Sequence, residues 1–160
     1  MKIVPADPGR HAGPMLELLN YARLKTTWVY DYDALTESSM RAYFESHTAI
    51  LAAEDDDGAF LGFIACGRFR AQRGYLHTEE HSVFVTPESR GKGVGTALLA
   101  RLEEVCRERG IHTLIAVIDS ENAPSIALHV KCGFSLAGTL RDVGFKFGRR
   151  LTMELYQKNF

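Results

Sequence analysis

One stretch of the chain combines positive charge, glycine and a change of periodicity: Val83-Phe84-Val85-Thr86-Pro87-Glu88-Ser89-Arg90-Gly91-Lys92-Gly93-Val94-Gly95-Thr96-Ala97-Leu98-Leu99. A short apolar run ends at Pro87, a basic glycine-rich turn follows, and a helix begins. A helix N-terminus carries unpaired N–H groups and a partial positive charge, which suit a phosphate. Gly91, Gly93 and Gly95 let the backbone come close to an anion, and Arg90 and Lys92 add charge. The string fits R-x-x-G-x-G. No G-x-x-x-x-G-K-[ST] string surrounds Lys92, and Gly91-x-Gly93-x-Gly95 is too short at its third spacing for G-x-G-x-x-G. A glycine-rich turn that binds nothing is the plain alternative, and the surrounding sequence decides between them.

Just upstream lies His77-Thr78-Glu79-Glu80-His81-Ser82. In a strand, alternate side chains share a face, so Glu80, Ser82 and Phe84 lie on one side and Glu79, His81, Val83 and Val85 on the other. The two carboxylates therefore point apart and are not a catalytic pair. An acid in the middle of a long central strand is costly to bury unless it is used or paired. Further along, Asn122-Ala123-Pro124-Ser125-Ile126-Ala127-Leu128-His129-Val130-Lys131-Cys132-Gly133-Phe134 follows the strand-like Leu114–Ile118. Asn122 is an N-cap, Pro124 sits in the first turn, and Gly133 closes a short helix.

The elements that must position these residues follow from periodicity and punctuation. Strands are expected at Lys2–Pro5, Ala49–Ala53, Ala59–Arg68, Tyr75–Val85, Leu114–Ile118, Phe134–Leu140 and Leu151–Gln157. Helices are expected at Gly13–Arg23, from Thr36 as cap through Phe44, at Gly95–Arg109 with Gly110 as its stop, and within Ser120–Cys132. Asp57-Gly58 reads as a hairpin turn in a solvated acidic loop, with no metal role. The order β-α-α-β-β-β-α-β-α-β-β describes one α/β domain over residues 1–160, a mixed sheet flanked by helices.

Composition narrows the partners. The formal net charge is −1 and Lys and Arg are dispersed, so nucleic acid is not expected. No apolar run reaches the length of a membrane-spanning helix, and the N-terminus does not read as a signal peptide. The three widely spaced cysteines, Cys66, Cys106 and Cys132, argue against a disulfide framework or zinc spacing. They read as structural thiols in a reducing, cytoplasmic setting.

Arg90-x-x-Gly93-x-Gly95 resembles the pyrophosphate loop of the GNAT acetyltransferase superfamily, which binds acetyl-coenzyme A. The Asn122–Phe134 segment resembles the second signature of that superfamily, N-x-x-S-x-x-L-[YH]-x-x-x-G-F. A narrower likeness covers nearly the whole chain. Thr78-x-Glu80-His81-Ser82-Val83-Phe84-Val85 resembles the T-x-E-x-S-V-[YF]-V of the phosphinothricin N-acetyltransferase family, whose members include enzymes acting on methionine sulfone and methionine sulfoximine. Asn20-Tyr21-Ala22 with Thr26-Thr27, and Val143-Gly144-Phe145-Lys146-Phe147-Gly148, resemble two further segments of that family.

The resemblance implies a GNAT fold with a mostly antiparallel sheet and splayed central strands. It implies acetyl-CoA as cofactor, a small-molecule amine substrate and a homodimer. Glu80 would be the general base, because an ammonium has no lone pair with which to attack a thioester. A backbone N–H near Val83 would hold the oxyanion. Val83, Phe84 and Val85 would frame the pantetheine arm, and Arg90, Gly91, Lys92, Gly93, Val94, Gly95 and Thr96 would hold the pyrophosphate. Asn122 and Ser125 would contact the arm or the loop that orders it. His129 stands where the superfamily usually has a tyrosine acid. It is either that acid or an ordinary helix-face histidine near the cofactor.

Arg70 would meet a substrate carboxylate, with Phe69, Tyr75 and Trp28 as pocket walls and Thr27, Thr78 and Lys146 at its edge. Arg150 and Thr152 replace the family's usual Trp and Asp, and Tyr30-Asp31-Tyr32-Asp33 makes the first substrate loop aromatic and acidic. Two rivals use the same loop: a protein or peptide N-terminal acetyltransferase, and an acyl-CoA-binding module with no use for Glu80.

Overall fold

The computed structural model describes residues 1–160. The strands are β1 (Lys2–Pro5), β2 (Ala49–Glu54), β3 (Phe60–Arg68), β4 (Thr78–Val85), β5 (Thr113–Asp119), β6 (Ser135–Lys146) and β7 (Arg149–Asn159). The helices are α1 (Pro8–Lys25), α2 (Glu37–Ser46), α3 (Val94–Glu108) and α4 (Ala123–Lys131). The order of elements is the expected one.

Several boundaries differ from expectation, four of them for clear local reasons. Helix α1 starts earlier because the Asp7 carboxylate accepts from the Arg10 N–H at 2.9 Å and Pro8 occupies the first turn. Strand β4 starts later. Arg73–Tyr75 instead forms a 3-10 turn, with the Tyr75 N–H donating to Gln72 O at 3.0 Å. Strand β6 runs on to Lys146 through an irregularity between Leu140 and Gly144, where Asp142 takes a φ of 57°. The turn to β7 is then only Phe147-Gly148, both at positive φ, a twist that matches paired strands.

The seven strands lie in the order β1-β2-β3-β4-β5-β7-β6. Every pairing is antiparallel except β4 with β5. Helices cover both faces, so β3 is buried on both and Gly62–Cys66 reads as a nearly continuous apolar run. Ile64 and Cys66 join Leu98, Leu99, Leu102 and Cys106 of α3 in the larger core. Phe63 and Ala65 face Met15, Leu18 and Leu19 of α1 and Met40 of α2. Each fully buried Leu or Ile there contributes about 1.5–3 kcal/mol by its removal from water.

The parallel ladder is short. Thr78–His81 pairs with Thr113–Ala116 and then stops. Beyond it the two strands hold only their outer neighbours, β4 pairing with β3 as far as Val85 and β5 with β7 as far as Asp119. Ser82–Val85 and Val117–Asp119 thus form the prongs of a fork whose inner backbone groups have no strand partner. The splayed centre expected from the resemblance is this fork.

Candidate active site

A cavity of about 500 Å³ occupies the fork. Val83, Phe84 and Val85 form one wall, and Asn122, Ser125 and His129 of the β5–α4 corner form the other. Arg90, Gly91, Gly93, Val94, Gly95 and Thr96 line its mouth, whereas Lys92 is exposed and off its wall. Asn122 takes its place as the N-cap of α4, its Oδ1 accepting from the Ser125 N–H at 3.2 Å. The cavity also touches residues to which the sequence assigned no site role, among them His81, Ser82, Val29 and Asp119. Asp119 Oδ1 accepts from the Glu121 N–H at 3.0 Å, and its Oδ2 is buried without a partner.

The three glycines of the turn divide their work. Gly93 is the N-cap of α3 at φ 82°, with no side chain capping the first turn. A Cβ at Gly91 or Gly93 would meet nothing within 4 Å, so both leave an open backbone cradle. A Cβ at Gly95 would lie 2.9 Å from Leu128 Cδ2. The missing Cβ of Gly95 thus eases the close approach of α3 to α4, beside its place at the cavity mouth. Arg90 holds its guanidinium 5.2 Å from the Trp28 ring centre, at the edge of the same cavity.

The neighbouring carboxylates of β4 have opposite surroundings. Glu79 is 2% exposed and fully paired. Arg109, which caps the end of α3, donates to its Oε1 at 2.9 Å and its Oε2 at 3.3 Å, and Thr48 Oγ1 donates to Oε1 at 2.8 Å. The fold brings Cys66 and Cys106 beside it, with donor atoms within 4.8 Å of one another, a cluster that sequence spacing did not suggest. The carboxylate is already committed to Arg109 and Thr48, and the Cys66 thiol is pushed up by the Cys106 thiol and by burial. Glu80 is half-buried on the opposite face, in a polar hollow with His47, Thr48, Gly67 and Arg68. Burial raises its carboxyl above the ordinary range, while Arg70 pulls it back down. That hollow and the fork cavity share His81 and Ser82.

His81 and His129 meet at the inner end of the fork. Their Nε2 atoms are 3.0 Å apart, and the rings are 4% and 2% exposed by residue. His129 Nδ1 lies 2.7 Å from the Ser125 carbonyl oxygen. Burial, and then the neighbouring ring, bring His81 down to about 3, and burial lowers His129 as well.

The sequence matches the acetyltransferase (GNAT) family over residues 16–134. The chain belongs to the GNAT acetyltransferase family. It is 38% identical over 149 residues to the L-methionine sulfoximine/L-methionine sulfone acetyltransferase of Pseudomonas aeruginosa, covering 91% of this chain and 87% of that protein. It superposes with a TM-score of 0.94 and 31% identity on the phosphinothricin acetyltransferase of Sinorhizobium meliloti, solved in complex with acetyl-CoA, covering 99% of this chain and 88% of that one. It matches the ribosomal-protein-alanine N-acetyltransferase of Brucella melitensis at a TM-score of 0.94 and 36% identity over the full length of both chains.

As a GNAT protein the chain is an acetyl-CoA-dependent N-acetyltransferase, and the cavity has the chemistry to accept that cofactor. The open cradle of Gly91 and Gly93, the uncapped helix start and Arg90 suit a pyrophosphate. The unpaired inner edges of the fork suit an amide-bearing arm.

The expected substrate residues do not come together in one pocket. Trp28 borders the fork cavity, directed there by Thr26, whose Oγ1 accepts from the Trp28 N–H at 3.1 Å and donates to Ala22 O at 2.7 Å. Phe69 and Tyr75 pack edge to face at 5.8 Å on the β3–β4 loop, with Arg70 4.5 Å over the Phe69 ring. They wall neither the cavity nor the hollow, and Tyr75 is exposed. Thr27 and Thr78 line neither space.

Lys146 is a correction. It is 2% exposed, and its ammonium donates to the Arg23 and Val29 carbonyls, the latter at 2.6 Å. It ties the α1–α2 loop to β6 and does not reach a pocket edge. Tyr30 and Tyr32 do the same from the loop side, donating to Thr152 O at 3.0 Å and to Phe145 O. The aromatic loop is thus anchored to β6 and β7 by groups that sequence reading assigned to substrate.

Proposed function

We propose that this protein acetylates the amine of a small amino-acid-like substrate of the methionine sulfoximine, methionine sulfone or phosphinothricin type, by direct transfer with Glu80 as general base. The observation that carries this reading is the meeting of two spaces at His81 and Ser82. One is the fork cavity suited to the cofactor. The other holds a half-buried carboxylate with a raised pKa.

Acetyl-CoA supplies an activated acyl group and a stable leaving thiolate. The chain's residues do the rest. Glu80 takes a proton from the amine, directly or through water, and its raised pKa makes the carboxylate a stronger base than an exposed one. A backbone N–H of β4 near Val83, left unpaired by the fork, donates to the developing oxyanion. The fork and the hollow hold the reactants in register, which lowers the entropic part of the barrier. Arg70, which acts electrostatically on Glu80, is the cation for the substrate carboxylate.

The active form is a homodimer: β6 is an unpaired sheet edge with Val143 and Phe145 more than half exposed, a surface a second copy would cover. Its three free cysteines support a reducing, cytoplasmic setting.

Thiol release with acetyl-CoA and a panel of phosphinothricin, methionine sulfoximine, methionine sulfone, ordinary amino acids and short peptides tests the assignment. Turnover confined to the first three supports it, and Glu80→Gln should then lose most of kcat. The similarity to a ribosomal-protein-alanine N-acetyltransferase favours a second reading. Turnover of an Ala-initiated peptide with none of the three analogues would establish it instead.

A further inference from the structure

Resting on the acetyl-transfer reading of the fork cavity, we propose that His81 is a positioning residue that holds His129 in the Nδ1–H tautomer, and that the two rings share one mobile hydrogen between their Nε2 atoms.

The Ser125 carbonyl can only accept, so His129 Nδ1, 2.7 Å away, carries a hydrogen. A neutral imidazole has one N–H, so His129 Nε2 is a lone pair. Its neighbour at 3.0 Å, His81 Nε2, must then be the donor. That leaves His81 Nδ1 as a lone pair; this atom is buried with no hydrogen-bond partner, and the Ile115 carbonyl favours a proton on the ring. Burial disfavours charge on either ring. Phe134 packs against both, 5.3 Å from His81 and 5.2 Å from His129.

The pair also sits where the chemistry is expected. His81 and Ala116 are the last partners of the β4–β5 ladder, so the rings lie at the apex of the fork, on its cavity wall. Both nitrogens of His129 are engaged, and at rest it offers the cavity no N–H. It gains a second N–H only after the pair gains one proton. A proton added at His81 Nδ1 lets the Nε2 hydrogen of His81 pass to His129 Nε2. His81 then keeps one N–H, and His129 carries two and the single positive charge. A helix-face histidine without His81 has no such restriction.

The test is two-bond proton–nitrogen correlation NMR on cofactor-free protein labelled with ¹⁵N-histidine, with kinetics of the same variants. His129 should show its hydrogen on Nδ1 and His81 on Nε2. His81→Gln, whose amide N–H reaches the same position, should preserve the His129 tautomer. His81→Phe should release it and lower kcat about ten- to a hundredfold. KM for acetyl-CoA should stay within about threefold if the residue positions a proton rather than binding cofactor.

Hydrogen on His129 Nε2 in the wild type would overturn the proposal. So would a His81→Phe protein unchanged in both tautomer and kcat. If His81→Phe does not fold, the wild-type and His81→Gln spectra still decide. Calorimetry with acetyl-CoA separates the two claims: no binding sinks the acetyl-transfer reading, whereas binding with the wrong tautomer sinks the pairing alone.

Discussion

Glu79 and Glu80 are adjacent, chemically identical and on the same strand, yet the two faces of β4 treat them differently. The α3 face encloses Glu79 and satisfies both oxygens through Arg109 and Thr48. The α2 face half-buries Glu80, forms no ion pair with it and leaves it at a higher proton affinity. A carboxylate whose oxygens are both paired does structural work. One that is half-desolvated and unpaired can change state, which is what a base must do. The difference comes from the pleat, which sends successive side chains to opposite faces, and from what each face packs against.

Neutralising each acid or its partner in turn separates the two roles. Glu80→Gln should lower kcat by roughly a hundred- to ten-thousandfold, read in a thiol-release assay, while acetyl-CoA still binds. Its thermal stability at neutral pH should rise slightly. The folded pKa of Glu80 is raised, so the folded state is favoured when this group is protonated and is penalised as pH rises through the folded pKa. The amide removes that penalty. A fall in Tm with kcat intact would reverse the roles assigned to the two acids.

Removing the partner of Glu79 should do the opposite. Arg109→Ala leaves a buried carboxylate with only Thr48 and should cost about 2–3 kcal/mol in chemical denaturation. This is less than the roughly 3–5 kcal/mol typical of fully enclosed pairs, because Arg109 still reaches solvent. kcat per folded molecule should not change.

A smaller effect is expected in the pH profile. The acidic limb of kcat/KM should lie above the ordinary glutamate range and vanish in Glu80→Gln, with activity gained as pH rises through that limb. A limb that persists unchanged in the variant would remove Glu80 as its source. Smallest of all, Arg70→Ala should move the limb further up, because Arg70 favours the charged carboxylate. A shift downward would mean that Arg70 does not act on Glu80 electrostatically.

Much of the site was legible in the residues. The turn from Arg90 to Thr96 and the corner from Asn122 to His129 carry their own punctuation: proline, positive-φ glycine and a side-chain cap. Such signals are local, and the fold respects them. The opposite faces of Glu79 and Glu80 followed from strand alternation alone. What failed was long-range. Lys146 sits in a motif and carries a charge, so it looked available, but folding commits its ammonium to one carbonyl of α1 and one of the loop after it, far away in sequence. Gly95 lines the cavity mouth as expected, but only the packing of α4 shows that its missing Cβ also makes room for Leu128. His81 gave no signal at all, since its partner is 48 residues away.

From sequence alone came the order of the elements, the strand–turn–helix that can cradle a phosphate, the separation of the two carboxylates and the family resemblance. All of these rest on period, capping and turn chemistry, which act over a few residues. Tertiary structure alone decided that β4 and β5 part after His81, that Glu79 is paired while Glu80 is free, that Lys146 is buried, and that two histidines meet at the apex of the fork. Those outcomes depend on which surfaces the packed helices and strands bring within hydrogen-bonding distance, and no local pattern encodes that distance.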